Sequence, residues 1–207
     1  MTDVLDSIDR TLIAALLGRA AGHVISHADE LTTLDQPIGD GDHGINMKRG
    51  FAAVTAELES ISAQPLPAAL KAAGMQMVMK VGGASGPLFG TLFMGLGKGI
   101  SDAPSRAEAV EALGAAIEAV KVRGKAKAGD KTMLDVLIPV HAAAAAGAGT
   151  VTLRQVAAVA ANATIAMQAM RGRASFLGER SVGHMDPGAR SCQLLVEAVC
   201  DVLEGAP

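Results

Sequence analysis

The chain has 207 residues, half of them hydrophobic, which suits one domain spanning residues 1–207 that buries its core without disulfide or metal staples. Its net charge is only −3 and it has no Lys/Arg cluster, so the electrostatic footprint of a nucleic-acid binder is missing. The stretch MTDVLDSIDRTLIAALLG opens with acids, and its longest apolar run, Leu12 to Leu17, is too short to cross a bilayer; we expect a cytoplasmic protein with no membrane insertion.

Ala, Leu, Met, Glu and Arg dominate and alternating β-branched runs are absent, so the chain reads as all-α. A first helix is expected from about Ser7 to Thr33, stopped by the cluster of Asp35, Pro37 and Gly39. A second follows from about Gly44 to Ile61. Pro65 and Pro67 punctuate the start of a third that runs to about Lys80, and glycines 82, 83 and 86 force a loop before a fourth. Capping-box patterns at Ser105–Glu108 and Thr152–Gln155 open helices five and seven. Thr132–Asp135 opens helix six, and Asp186 before Pro187 opens helix eight. The connections are short or medium, which favours antiparallel neighbours in an eight-helix up-and-down bundle or closed barrel. Four Phe, no Trp, no Tyr and abundant Ala let such helices approach closely. Cys192 and Cys200 are eight residues apart on one helix, about 12 Å, too far for a disulfide, and read as small core residues.

The densest chemical signal is Asp35-Gln-Pro-Ile-Gly-Asp40-Gly-Asp42-His43-Gly44, three carboxylates that a turn can bring together. Oxygen-only ligands suit a hard cation such as Mg²⁺ that completes its shell with water and phosphate. A calcium-binding EF-hand loop is rejected, because the alternating ligands and the twelfth-position Glu do not fall correctly. An isolated Asp-Gly-Asp is also an ordinary turn, but here a helix start at Gly44 to Asn46 adds free N–H groups and a positive dipole end that favour an anion. The loop Val81-Gly-Gly-Ala-Ser-Gly-Pro-Leu-Phe-Gly-Thr91 could close its backbone amides on phosphate or simply connect helices. It lacks the Gly-Lys-Ser/Thr of a Walker loop and has no preceding strand. Gly129–Met133 and Gly172–Gly188 also lead into helix starts. Within them Arg173 or Arg180 could neutralise phosphate or form a surface pair, and His184 reads as a structural hydrogen-bonder.

The segments LDQPIGDGDHGINMKRGF, VGGASGPLFGT, RGKAKAGDKTMLDV and GRASFLGERSVGHMDPGARS resemble, in order and spacing, the L subunit family of dihydroxyacetone kinases. The resemblance implies an eight-helix antiparallel barrel with ADP (or ATP) held in loops at one end, and two Mg²⁺ ions on Asp35, Asp40 and Asp42. It implies that His43, Gly44, Ile45, Asn46, Ala84 and Ser85 surround phosphate or ribose. Gly124, Met133, Arg173, Asp186, Pro187 and Gly188 would enclose adenine and ribose. Expected partners are a substrate-binding K subunit docked on the loop end and, in the phosphotransferase-linked branch, a phosphohistidine M subunit that recharges ADP; homodimerisation stays open. The runner-up is an ATP-dependent triose or tetrose kinase, for example one acting on erythrulose. Outside the kinases, an apolar-ligand carrier would not need Mg²⁺, and a magnesium-dependent hydrolase would need a base such as Asp35 or His43.

Overall fold

The computed structural model describes residues 8–205, and no strand occurs among them. The predicted first helix is divided into α1, Arg10–Ser26, and α2, Ala28–Asp35, jointed at His27. At that joint the Ser26 hydroxyl donates to the His23 carbonyl at 3.0 Å and the His27 ring meets the same oxygen at 2.7 Å. Side chains thus compete with the helical ladder. The predicted start at Ser7 lies outside the described residues; Asp9 caps α1 through the Leu12 amide at 2.8 Å.

The second predicted helix likewise becomes α3, His43–Ala56, and α4, Leu58–Ser62. Thr55 bonds back to the Phe51 carbonyl just before the break. α5 spans Leu66–Lys80 and α6 spans Ser85–Gly99, so Gly86 lies inside a helix and the glycine loop is shorter than predicted. α7, Arg106–Gly124, starts at Ser105, whose hydroxyl accepts from the Glu108 amide. The Glu108 carboxylate, however, turns to the amide and hydroxyl of Ser101, so only half of the capping box forms.

α8, Leu134–Ala145, starts two residues after Thr132, and the Asp135 carboxylate accepts from the Thr132 amide at 2.7 Å. α9, Thr150–Ala163, is capped by Gly149, which overturns the predicted box at Thr152. Arg106 donates to the Ala148 carbonyl and fixes the preceding turn, so the helix begins earlier. Two 3₁₀ segments, Thr164–Ala166 and Arg173–Ser181, lead to α10, Pro187–Leu203, capped by Asp186 through the Ala189 amide at 2.7 Å.

α1 packs on α3, α3 on α5, and α5 through α10 each on the next; α10 returns to α1 and closes the ring. Eight antiparallel staves therefore form the barrel, and α2 and α4 continue two of them. The centre is filled by fully buried Phe51, Phe89, Met47, Met77, Leu134 and Leu194, with Phe51 edge-on to Phe93. Cys192 and Cys200 are free and buried, as small core residues should be. At the end where α10 finishes, Arg154 of α9 meets Asp201 at 2.7 Å and Glu204 at 2.9 Å, and Asp201 also meets His23 of α1 at 2.9 Å. No helix among the described residues is long and apolar enough to cross a membrane.

In an up-and-down ring every second connection falls on the same end. Residues 36–42, 81–84, 125–133 and 164–186, which carry most of the chemical motifs, are those connections. The seam between α5 and α6 is closed backbone to backbone: a Cβ on Gly74 would lie 2.9 Å from the Gly90 carbonyl and 2.9 Å from the Met94 nitrogen. Gly22 on α1 is exposed and has nothing within 4 Å. Gly74→Ala should therefore cost about 1–3 kcal/mol by overpacking, whereas Gly22→Ala should gain about 0.5–1 kcal/mol by lowering the entropy of the unfolded chain. Denaturant unfolding of both variants checks the opposite signs.

Candidate functional site

Asp35 ends α2 and is 7 % exposed; its Oδ2 accepts from the amides of Asp42 at 3.0 Å and His43 at 3.2 Å, so it caps α3 from outside the helix. The turn between folds tightly around it. The Gly39 amide donates to the Asp35 carbonyl at 2.6 Å, and a Cβ on Gly39 would collide with the Asp35 carboxylate at 1.9 Å. Gly41 takes φ +71°, a conformation costly for other residues, and buried Ile38 anchors the loop. One oxygen each from Asp35, Asp40 and Asp42 then lies within 4.8 Å of the others. This oxygen-only cluster suits a hard divalent cation, and the absence of sulfur or imidazole from the set disfavours zinc.

The triad opens on a cavity of about 480 Å³. Across it, α6 starts at Ser85 without a side-chain cap, and Gly83 holds φ +64° with open space where a Cβ would stand. A helix start of this kind directs amide N–H groups and a positive dipole end at whatever occupies the cavity. Leu88, Val120, Gly124, Ala126 and Met133 give the cavity an apolar wall. Asp186, Pro187 and Gly188 close one side, and Arg173 with Ala174 the other. Arg173 Nη1 reaches Asp40 Oδ2 at 2.7 Å, a half-exposed pair whose strength water screens.

His43 joins three of these elements. Its Nδ1 lies 3.0 Å from the Ser85 hydroxyl on α6 and its Nε2 lies 2.8 Å from the Ser191 hydroxyl on α10. Burial pushes its pKa down to about 4 against the opposing charge of Asp35, so at neutral pH the ring is uncharged, one nitrogen donating and one accepting. Burial pushes the Asp186 carboxyl the other way, up to about 7; the Ala189 amide and the charge of Lys131 oppose the rise, and the charges of Asp135 and Asp35 add to it.

Most of the residues singled out from sequence thus line one cavity: Asp35, Asp40, Asp42 and His43 from the first motif, Ala84 and Ser85 from the second, and Gly124, Met133, Arg173 and the 186–188 run from the others. Gly44, Ile45 and Asn46 are not among its lining residues. Gly44 packs α3 on α2, where a Cβ would meet the Ala28 carbonyl at 1.9 Å; Asn46 is buried beside Gly82; and Ile45 is 54 % exposed on the outside. Arg180 is exposed and does not line the cavity. His184 contributes its carbonyl as an acceptor for Lys131. Sequence reasoning missed Arg123, Arg171 and Lys131 on the cavity wall and Ser191 behind His43. Ser191 lies four residues after Pro187, on the same face of α10, which is the signal that could have found it.

A family model described as the DAK2 domain matches residues 37–201. The chain belongs to the DAK2 family. It is 40 % identical over 201 residues to the ADP-binding subunit of the PEP-dependent dihydroxyacetone kinase of Escherichia coli K12, covering 92 % of this chain and 96 % of that one. It is 45 % identical over 170 residues to the corresponding subunit of dihydroxyacetone kinase 1 of Listeria innocua, covering 82 % and 84 %. The L-erythrulose 1-kinase of Mycolicibacterium smegmatis is 37 % identical over 180 residues, 82 % of this chain and 32 % of that longer protein. The crystal structure of the C. freundii dihydroxyacetone kinase superposes with a TM-score of 0.76 at 24 % identity, over 92 % of this chain and 34 % of that one, and so shares the DAK2 chain's fold.

The two perturbed groups give the DAK2 site a pH signature. An unfolded chain protonates His43 near 6.5 and the folded chain near 4, so its contribution to stability is present above 6.5 and lost as pH falls toward 4. Asp186 is protonated more readily when folded, so its contribution is present at low pH and lost as pH rises through 7. Between pH 4 and 7 the two oppose. Asp186→Asn keeps an oxygen to cap α10 and removes one limb. In EDTA its unfolding free energy should therefore fall on the order of 3 kcal/mol from pH 6.5 to 4, more steeply than in the parent chain. Parallel pH profiles for the two proteins would contradict this assignment.

Proposed function

We propose that this chain is the ADP-binding subunit of a dihydroxyacetone kinase, with Asp35, Asp40 and Asp42 holding two Mg²⁺ ions against the nucleotide's phosphates. The observation that carries the reading is the pairing, across one cavity, of a three-carboxylate cluster with the uncapped start of α6. Cation ligands and anion donors then line the same cavity of about 480 Å³, the combination a magnesium diphosphate would call on. When bound, the nucleotide takes a phosphoryl group from a phosphohistidine on a separate M subunit and passes it to a hydroxyl of dihydroxyacetone on the K subunit.

The chain's own part is positioning and charge neutralisation. The carboxylates would hold the cations, the free amides at Ser85 and Gly86 would serve phosphate oxygens, and Arg173, paired with Asp40 at 2.7 Å, would add positive charge beside them. The apolar wall that includes Leu88 and Met133 would receive the base, and the polarizable thioether of Met133 suits packing against a ring. His43, neutral and held by two hydroxyls, orients the start of α3 and carries no proton to substrate. Gly44 and Asn46 shape that start from behind, and Ile45 lies outside the cavity.

Higher identity to the PEP-dependent subunits than to the erythrulose kinases supports ADP as a resident coenzyme. The second reading, an ATP-dependent kinase of a triose or tetrose, rests on the relatives of that activity at 34–37 % identity. Protein purified in Mg²⁺ and then denatured should release stoichiometric ADP, protein treated with EDTA should release none, and Asp40→Asn should retain none in either buffer. Weak, freely reversible ATP binding instead would favour the second reading, and nucleotide retention by Asp40→Asn would overturn the metal assignment.

The partner face of this subunit is the loop end. Its rim carries Arg123, Lys125, Lys127, Arg171, Arg173 and Arg180, so the expected docking face is basic outside its acidic centre and fits an acidic surface on the K subunit. Phe176, 87 % exposed among these arginines, is its apolar anchor. Phe176→Asp should weaken K-subunit binding about tenfold or more and leave ADP retention unchanged, measured by titrating the K subunit against each form.

A further inference from the structure

Lys131 lines the cavity, and the proposed function does not use its chemistry. It is 1 % exposed, stands at φ +60°, and comes from the connection between α7 and α8. Both features are costly: a buried ammonium loses its hydration, and a left-handed conformation disfavours a residue with a Cβ. The side chain nevertheless enters the interior and spends all its donors on backbone. Nζ donates to the carbonyls of Met167 at 3.0 Å, Ser181 at 2.7 Å and His184 at 2.5 Å. Three acceptors match the three N–H bonds of an ammonium; a neutral amine has only two.

Those carbonyls belong to one span, residues 167–184, and come from its two ends. The span has little ladder of its own. It contains one irregular 3₁₀ segment, and Gly172, Gly178 and Gly183 all take positive φ. Asp130, next to Lys131 in sequence, holds the span as well: the Met170 amide donates to the Asp130 carbonyl at 3.0 Å and Arg171 pairs with the Asp130 carboxylate at 3.5 Å. Its other ties are the Ala169 amide to the Ser181 hydroxyl at 2.9 Å within the span, the Gly183 amide to the Ile165 carbonyl at 2.8 Å, and the exposed Arg173–Asp40 pair. This span brings Arg171, Gly172, Arg173 and Ala174 to the cavity wall and runs directly into Asp186. A loop of such irregular backbone, gathered by inward carbonyls on a single positive charge, is built like a cation-binding loop in which the ion is covalently attached.

We propose that Lys131 is a positioning residue for the nucleotide: its ammonium is the fixed ion that shapes residues 167–184 into one wall of the cavity, and retention of bound Mg-ADP depends on it. Arginine cannot substitute, because a planar guanidinium does not direct three donors from one atom to three converging carbonyls. Methionine matches the length but leaves three buried carbonyls unpaired. This inference rests on the nucleotide-binding reading above, and the experiment separates the two.

The full-length parent, Lys131→Met and Lys131→Ala are compared for three readouts: the rate of Mg-ADP release in a chase experiment, the rate of tryptic cleavage after Arg171, Arg173 and Arg180, and hydrogen exchange of α1 and α5. Lys131→Met is expected to release Mg-ADP and to be cut in the span about tenfold to a hundredfold faster than the parent, with exchange in α1 and α5 unchanged. In Lys131→Ala, ethylammonium should enter the vacated channel and slow both processes, whereas tetramethylammonium, which has no N–H, should not. Release of Mg-ADP at the parent rate from Lys131→Met would overturn the proposal, and so would faster release in Lys131→Ala that ethylammonium fails to slow. A parent chain that holds no Mg-ADP would instead sink the nucleotide reading, and the cleavage and ammonium readouts would still report on the span.

Discussion

The site hangs on one neutral imidazole clamped between two hydroxyls. His43 is the first residue of α3, yet its ring reaches Ser85 at the start of α6 and Ser191 one turn into α10, so three helix starts are held in register at a single point. Because burial keeps the ring uncharged, it adds no positive charge beside the three carboxylates at neutral pH. Asp35 works from the other side, capping α3 while offering an oxygen to the cluster. The position of the carboxylate cluster and that of the helix start across the cavity are therefore set from the two ends of one turn.

The ring architecture supplies the rest. Antiparallel staves of similar length bring four loops to one end whatever those loops contain, and the close contact of α5 with α6 then fixes the glycine loop to within a backbone's thickness. Gly74 and Gly90 are thus as much a part of the site's geometry as the residues on its surface. The same logic explains why residues 167–184, which lack a helix to hold them, are organised around Lys131 instead.

Much of this was legible in the sequence where local chemistry decides structure. Pro67, Asp186 with Pro187, and Ser105 mark helix starts by backbone sterics and capping, and those starts stand where predicted. Three carboxylates among glycines are expected to be gathered by a turn, and the turn brings one oxygen of each within 4.8 Å of the others. The joints at His27 and Glu57 were not legible, since Ser26 and Thr55 bend their helices through side-chain bonds that also occur in unbroken helices. The box at Thr152 misled because Gly149, tied by Arg106 from another helix, starts α9 sooner. Lys131 stayed hidden for a related reason: a lysine in a Gly-Asp-Lys-Thr loop reads as surface until tertiary contacts show three carbonyls converging on it.

The order of the staves also fixes where the polypeptide enters and leaves. α1 begins at Arg10 and α10 finishes at Leu203, both at the end opposite the cavity, where Asp9, Val202 and Gly205 share one shallow groove. The first and last helices of the ring thus share the face behind the cavity. A label or tether attached in that groove would leave the loop end and its cavity facing outward, free to meet one partner after another.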